Sequence, residues 1–259
     1  MRQQRLLRIT RLLGQQKIDR LEQCRVAIVG LGAVGGFCLE ALARSGVGHL
    51  TLVDFDIFVP SNLNRQILAL ESTMGKNKAA VAAQRVLDIG PEIDVRVIEQ
   101  ACSGETVDMI VAGQDLVVDA IDSVTAKCLL LETCVRRGIP VVSSMGAALR
   151  KDVSRIRTAN LMDTHGCPLA KQVRTRLRRA GVGSGIKVVF SDEQPCNAFE
   201  SGLDVPEKLE MEKAELENKE MESTPGSGAR RKVLGSMPTV TGMFGLYLAH
   251  LALSELLHT

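Results

Sequence analysis

The sequence predicts an α/β fold: a doubly wound, mostly parallel sheet with helices on both faces, extended by later strands and a C-terminal helix. Three observations carry that expectation. Short apolar runs rich in β-branched residues alternate with stretches of helical period as far as Ala147. A glycine-rich turn, GLGAVGG, stands between the first apolar run and the first helical stretch. After a charged interval punctuated by Gly and Pro comes a long apolar segment of helical length.

The elements follow in order. RVAIVG (residues 25–30) reads as a buried strand, and the turn at residues 30–36 opens a helix running to about Ser45. HLTLVD (49–54) is a second strand, residues 75–88 have helical pattern, and residues 94–98 form a third strand. DLVVDA (115–120) is a fourth, followed by a helix through Arg137, and IPVVSS (139–144) is a fifth. The pattern then loosens. VSRIRTAN (153–160) and IKVVFSD (186–192) read as further strands flanking a basic helix at residues 170–179. Residues 207–222 are almost all Glu, Lys, Met and Leu, and STPGSG follows. This is a charged insertion, about residues 203–230, expected as a solvated helix or loop with a hinge. Residues 240–257 are long and apolar enough to resemble a membrane span. His250 and Glu255 interrupt them, so a buried helix is expected and stable membrane insertion is not. No internal repeat is present. The expected organisation is one domain over residues 1–259, with a nucleotide-binding half at about 20–147 and a substrate and dimer half at about 148–259.

Composition narrows the class. The chain has 259 residues, a net charge of +2 and no Trp, so aliphatic packing must build the core. Such a charge does not by itself imply nucleic acid or a membrane surface. The cysteines number seven, an odd count with no CxxC pair, which implies reduced thiols, no disulfide framework and no zinc clip. A cytoplasmic location is expected. The basic start, MRQQRLLRITRLL, lacks the apolar core of a secretory signal. Being Arg-rich and acid-poor, it keeps a mitochondrial location as the alternative.

Gly30, Gly32 and Gly35 match G-x-G-x-x-G after a strand and before a helix. Glycines let the backbone approach a phosphate, and a helix N-terminus favours negative charge there. Asp54, at the end of the second strand, is placed to accept from ribose hydroxyls in a Rossmann-like layout. These features do not separate NAD from ATP. The stretch VDFDIFVPSNLNRQ (53–66) does, because Asp54 is followed by Asp56, Ser61, Asn62, Asn64, Arg65 and Gln66. MGKNKAA then puts Lys76 and Lys78 at the start of the next helix. Arg and Lys beside a phosphate-binding turn neutralise charge building on a departing pyrophosphate. Read alone, the two lysines would be solvated helix-face charges. Asp119 and Asp122, in DAIDS after the fourth strand, are acids placed to hold Mg²⁺.

In this order GLGAVGG, VDFDIFVPSNLNRQ, GKNKA and DAIDS resemble the ubiquitin-activating-type adenylyltransferase family, which includes the sulfur-carrier activating enzymes of molybdopterin and thiamine synthesis. The likeness covers about residues 5–147. It implies ATP and Mg²⁺, with Asp54 on the ribose, Asn62, Arg65 and Lys78 on the phosphates, and Asp122 on the metal. It further implies a homodimer in which Arg5, within RLLRITRLLG, reaches the partner subunit's site, a role for which Arg2, Arg8 and Arg11 compete. The second half, SSMGAALRKDVSRIRTANLMDTHGCPLAKQVRTRLRRAGV with IKVVFSDEQP, resembles one branch of that family. In that branch the activated acyl group is the carboxylate of a threonylcarbamoyl group on an adenosine of tRNA. The resemblance implies adenylation of this carboxylate, closure of the adjacent ureido group onto it, release of AMP and net loss of water. Lys171, Arg174, Arg176, Arg178 and Arg179 crowd one short helix, which suits an RNA backbone. A sulfur-relay or electron-supplying protein stays open as a further partner.

Some members of the branch carry a cysteine shortly before the final apolar helix, and here RRKVLGSMPTVTGMFG has none. A tethered nucleophile needs no enzyme thiol, since tethering alone is worth about 7–11 kcal/mol. Cys196 lies in a polar loop and reads as incidental, and no covalent nucleophile is assigned. His165, in DTHG, either orients substrate or caps a turn. Three other functions stay open: an activating enzyme for a ubiquitin-like or sulfur-carrier protein, a non-catalytic scaffold binding a partner through residues 207–222, and an NAD oxidoreductase.

Overall fold

The computed structural model describes residues 2–196 and 234–258; the expected charged insertion and its hinge lie outside the described residues. Strands form where aliphatic and β-branched residues run together: β1 (Arg25–Val29), β2 (His49–Val53), β3 (Asp94–Ile98), β4 (Leu116–Asp119), β5 (Val141–Ser144), β6 (Ile156–Asn160) and β7 (Lys187–Ser191). They make one sheet in the order β3-β2-β1-β4-β5-β7-β6. All pairings are parallel except β6 with β7. The late strands therefore extend the sheet of the first five and do not build a second one. Strand order reverses between β1 and β4. In an open parallel sheet the crevice above such a reversal, at the carboxyl ends, is where ligands bind.

The helices are α1 (Arg2–Leu13), α2 (Gln15–Gln23), α3 (Gly35–Arg44), α4 (Lys78–Ile89), α5 (Val107–Val111), α6 (Val124–Arg136), α7 (Pro168–Arg179) and α8 (Pro238–His258). Successive side chains of a strand point to opposite faces. Val26 and Ile28 of β1 accordingly enter one core with residues of α2, α3, α4 and α8, while Ala27 and Val29 enter a second with α5, α6 and α7. Both faces of the sheet are covered, as expected.

The C-terminal apolar segment is the buried helix the sequence suggested. By length and composition α8 could cross a membrane, but half of its apolar stretch is buried within the protein. It crosses α3 closely at Gly245, where an added Cβ would lie 2.5 Å from the Val34 carbonyl oxygen and 2.6 Å from Phe37 Cβ. The N-terminal segment, to which the sequence pattern assigned no element, forms α1 and α2. Only Leu6 of α1 is buried, against the turn at Gly46. The five-residue α5 was equally invisible, because a turn and a half gives no periodic signal.

Candidate functional site

The glycine turn leaves β1 through Gly30, whose φ of +91° lies in the left-handed region. Gly35 allows the close packing that follows: its Cβ would fall 1.8 Å from the Gly30 carbonyl oxygen. Gly32 is different. A Cβ there would meet only the Gln66 side chain, at 3.8 Å, so Gly32 keeps the surface of the turn open. Gln66 is buried, and among the described residues its Oε1 has no hydrogen-bond partner. An open glycine beside an unsatisfied buried carboxamide is a surface shaped for a polar ligand.

Asp54 ties this turn to the end of β2. The Leu31 N–H donates to its Oδ2 at 2.7 Å, and the Asp56 N–H donates to its Oδ1 at 2.9 Å. Burial pushes the Asp54 carboxyl above its ordinary range, against the opposing pull of Lys78 and the two backbone donors. The chain then folds back on itself. Ile57 bridges Asn77, the Phe58 N–H donates to the Lys76 carbonyl at 3.0 Å, and the Lys78 N–H donates to the Asp56 carbonyl at 2.9 Å. This brings the first turn of α4 beside Asp54. Asn77 caps α4 by accepting from the Ala79 and Ala80 N–H groups, and its own amide donates to the Asp54 carbonyl at 3.4 Å.

Lys78 is buried, with Nζ 3.0 Å from Asp56 Oδ2, whereas Lys76 is exposed. The two lysines thus separate: one belongs to the site and the other fits the solvated-charge reading. Asn62 is buried, its Oδ1 accepts from the Val59 N–H at 3.3 Å, and its carbonyl accepts from the N–H groups of Arg65 and Gln66. Arg65 Nη1 donates to the Ser61 carbonyl at 2.8 Å and to Asn64 Oδ1 at 3.0 Å. Asn64 in turn donates to the Ser236 carbonyl at 3.3 Å. The polar tail of the second strand is therefore a structured loop bound to the segment preceding α8.

The two acids after β4 part company. Asp119 is fully buried, and its Oδ2 takes Lys127 Nζ at 2.6 Å and the Ser143 hydroxyl at 2.6 Å. Its Oδ1 accepts from the Ile121 N–H at 3.0 Å. Asp119 is thus engaged by three donors and fully buried, which leaves no exposed oxygen for a metal. Asp122 is exposed just beyond it. A single carboxylate suits Mg²⁺, which takes most of its ligands from phosphate oxygens and water. Among the described residues no three His, Cys, Asp or Glu side chains gather to hold a metal without such help.

Arg5 is not brought to this site within one chain. It pairs with Glu92, beside Gly46 and Gly48 at the amino edge of the sheet, opposite the glycine turn. Cys167 is buried and Cys196 exposed, both among free thiols. His165 is 72% exposed at its side chain, packs edge-on to Phe190 at 5.6 Å and lies 4.0 Å from Asp192 Oδ2. The basic helix is not uniformly solvated. Arg174 is half-buried and bonds the Thr164 carbonyl at 2.6 Å, while Arg176 is exposed and reaches the Thr125 hydroxyl at 2.9 Å. Lys171, Arg178 and Arg179 remain exposed.

Sequence reasoning missed Asn77, Lys127 and Arg150. Asn before a helical run is a cap signal, and a lone Lys inside VTAKCLLLETCV signals a buried partner. Arg150 gives no such sign, because tertiary packing alone buries it.

The whole chain has known relatives. A model described as the ThiF family matches residues 3–259. The tRNA threonylcarbamoyladenosine dehydratase of Bacillus subtilis (strain 168) is 39% identical over 232 residues, covering 89% of this chain and 87% of the relative. Crystal structures of the E. coli tRNA N6-threonylcarbamoyladenosine dehydratase in complex with AMP and with ATP match with TM-scores of 0.82 and 0.81. Their identities are 31% and 32%, over 99% of this chain and 95% of that one. The molybdopterin-synthase adenylyltransferase of Escherichia coli (strain K12) is 37% identical, but over 134 residues, 52% of this chain and 53% of the relative.

Proposed function

The chain belongs to the ThiF family, and on that premise we propose that it is an ATP-dependent tRNA threonylcarbamoyladenosine dehydratase. The observation that carries the reading is the extent of the likeness. Relatives with this activity in their name match across both halves of the chain, whereas the sulfur-carrier type matches about half of it.

The reaction runs in two displacements. A carboxylate oxygen of the threonylcarbamoyl group attacks the α-phosphorus of ATP, and pyrophosphate leaves. The ureido group, already tethered, then attacks the acyl carbon. AMP departs with the carboxylate oxygen, the ureido proton is released, and the ring has lost the elements of water. Intramolecular closure requires no enzyme thiol.

The residues divide this work. Gly30, Gly32 and Gly35 with the α3 N-terminus receive the phosphates, and Asp54 accepts from the ribose hydroxyls. Gln66, with its unpartnered oxygen, and Asn62 border the same turn, and Asp56 holds Lys78. Arg65 and Lys78 balance the charge that grows on pyrophosphate. Asp122 would hold Mg²⁺, which when bound neutralises phosphate charge. Phe55, Ile57, Leu63, Ile67 and Leu70 are exposed along the loop after β2, which supports a homodimer through that face. Arg5 is paired with Glu92 at the opposite, amino edge of the sheet and would have to leave that pairing to serve the partner subunit's site. Both halves form a single adenylation domain in the cytoplasm.

The test is direct. Incubation with ATP, Mg²⁺ and threonylcarbamoyl-modified tRNA, followed by mass spectrometry of the nucleosides, should show loss of one water with AMP formed in equal amount. Pyrophosphate exchange that depends on a small carrier protein and ignores tRNA would establish the sulfur-carrier function instead.

A further inference from the structure

Arg150 lies in the loop after β5, at the same carboxyl edge of the sheet as the glycine turn. It is 3% exposed, yet among the described residues its Nε and Nη1 have no hydrogen-bond partner. Its one described bond runs from Nη2 to the Gly166 carbonyl at a long 3.4 Å. Two acids that follow β7 are committed elsewhere. Asp192 Oδ1 takes Arg155 at 2.6 Å and its Oδ2 lies 3.9 Å from Arg157, while Glu193 accepts from the Lys151 and Asp152 N–H groups. A guanidinium withdrawn from water without a counter-charge among the described residues is costly, and an arriving anion would offset that cost.

The backbone around it is built to present it. Leu149 has a φ of +61°, a region that suits glycine and not a branched side chain. Two bonds hold it there: its N–H donates to the Gly235 carbonyl at 2.9 Å, and its carbonyl accepts from the Cys196 N–H at 3.1 Å. The neighbouring carbonyl, of Ser236, takes the Asn64 amide. Consecutive Cα atoms are about 3.8 Å apart, so the loop of Arg65 and the loop of Arg150 meet over one short segment. Along the sheet, β5 is two strands from β1, and two strand spacings come to about 10 Å. Arg150 thus stands beside the phosphate-handling loop but on the side of the later strands.

We propose that Arg150 binds the carboxylate of the substrate and positions it for attack on ATP. This rests on the dehydratase reading. The requirement is an oxyanion, and both the substrate carboxylate and the nucleotide phosphates qualify. The carboxylate is favoured because Arg65, Lys78 and the glycine turn already answer the phosphates. Guanidinium is also the side chain whose planar donors match a carboxylate.

The experiment compares wild type with Arg150→Met, Arg150→Gln and Arg150→Lys. Without ATP, binding of the threonylcarbamoyladenosine nucleoside is set against binding of its methyl ester. Wild type should prefer the acid by roughly ten- to a hundredfold, the range of a charged hydrogen bond. The Met and Gln variants should bind both alike, and Lys should restore part of the preference. ATP affinity should not change. Arg150→Met should also melt a few degrees higher, because an unpaired buried charge has gone, an outcome that a purely structural arginine would reverse. Equal binding of acid and ester by wild type overturns the proposal, and so does full discrimination by Arg150→Gln. A fall in ATP affinity with nucleoside binding intact makes Arg150 a phosphate ligand instead. Failure of both the Met and Gln variants to fold makes it structural. If wild type discriminates acid from ester yet converts no modified tRNA, the dehydratase reading fails while the carboxylate site stands.

Discussion

Lys76 and Lys78 show how one residue type takes different meanings from its surroundings. Lys78 is buried, because the backbone bond from its N–H to the Asp56 carbonyl draws it in and its ammonium then meets the Asp56 carboxylate. Lys76, two positions earlier, is exposed. If Arg65 and Lys78 act on charge that appears as pyrophosphate departs, alanine at either should lower turnover by about 10²–10³ with little change in ATP affinity. Single-turnover rates beside equilibrium ATP binding check this; weaker binding with normal turnover would assign them to the ground state. Asp54 yields a pH prediction. Its carboxyl is raised in the folded protein, mainly by burial, so the folded chain holds its proton to higher pH than the unfolded chain. The sign follows: this group's contribution to stability is fully present below the unfolded pKa and falls as pH rises through the folded one. Ribose hydroxyls favour the carboxylate, so nucleoside binding should release a proton and tighten as pH rises above the ordinary carboxylate range. Adenosine, which lacks phosphates of its own to titrate, is the probe. Asp54→Asn should bind it weakly and without the pH dependence, whereas an unchanged dependence in that variant would place the titration elsewhere.

At the scale of elements, the helix α8 carries the clearest constraint. Gly245 and Gly242 let it approach α3, and Gly245 leaves no room for a methyl group beside Val34 and Phe37. Alanine would gain about 1 kcal/mol in helix propensity, but overpacking costs typically about 1–3 kcal/mol and both neighbours are backbone or near-backbone atoms. Gly245→Ala should therefore destabilise by up to about 2 kcal/mol net, measured by urea unfolding; a more stable variant would show that α8 can move aside. The elements of the sheet were legible in the sequence because β-branched runs and glycine punctuation coincide there. The glycine turn and Asp54 were legible for the same reason, since their spacing is local. What was not legible depends on distant packing. DAIDS offered two equivalent acids, and only the fold reveals that Lys127 and Ser143 hold a buried Asp119. The basic helix α7 offered five equivalent cations, and only the fold ties Arg174 to Thr164 and Arg176 to Thr125.

For the molecule as a whole, the question is how a chain of net charge +2 would hold a polyanion. The answer must be local. The helix α7 begins beside Gly146 on the carboxyl edge, where Leu169 Cβ lies 3.6 Å from the position of a Gly146 Cβ. Twelve residues at a rise of about 1.5 Å span about 18 Å, so the helix leads away from the site towards the other edge. Lys171 stands near its start, and Arg178 and Arg179 at its end, all exposed. A tRNA lying along it would reach the site at one end of the helix and be held at the other. Arg174 is half-buried and bound to Thr164, so reversing it would test folding, and the exposed Arg176 already bonds Thr125. The informative variant is Arg178→Glu with Arg179→Glu. It should weaken tRNA binding and make the log–log salt slope shallower by about 0.9 for each phosphate no longer neutralised, with ATP affinity unchanged. Gel-shift titrations at several salt concentrations, with ATP binding measured in parallel, decide it. A solvated helix face predicts no change in either quantity, and that outcome would move the RNA path to another surface while leaving the chemistry of the site intact.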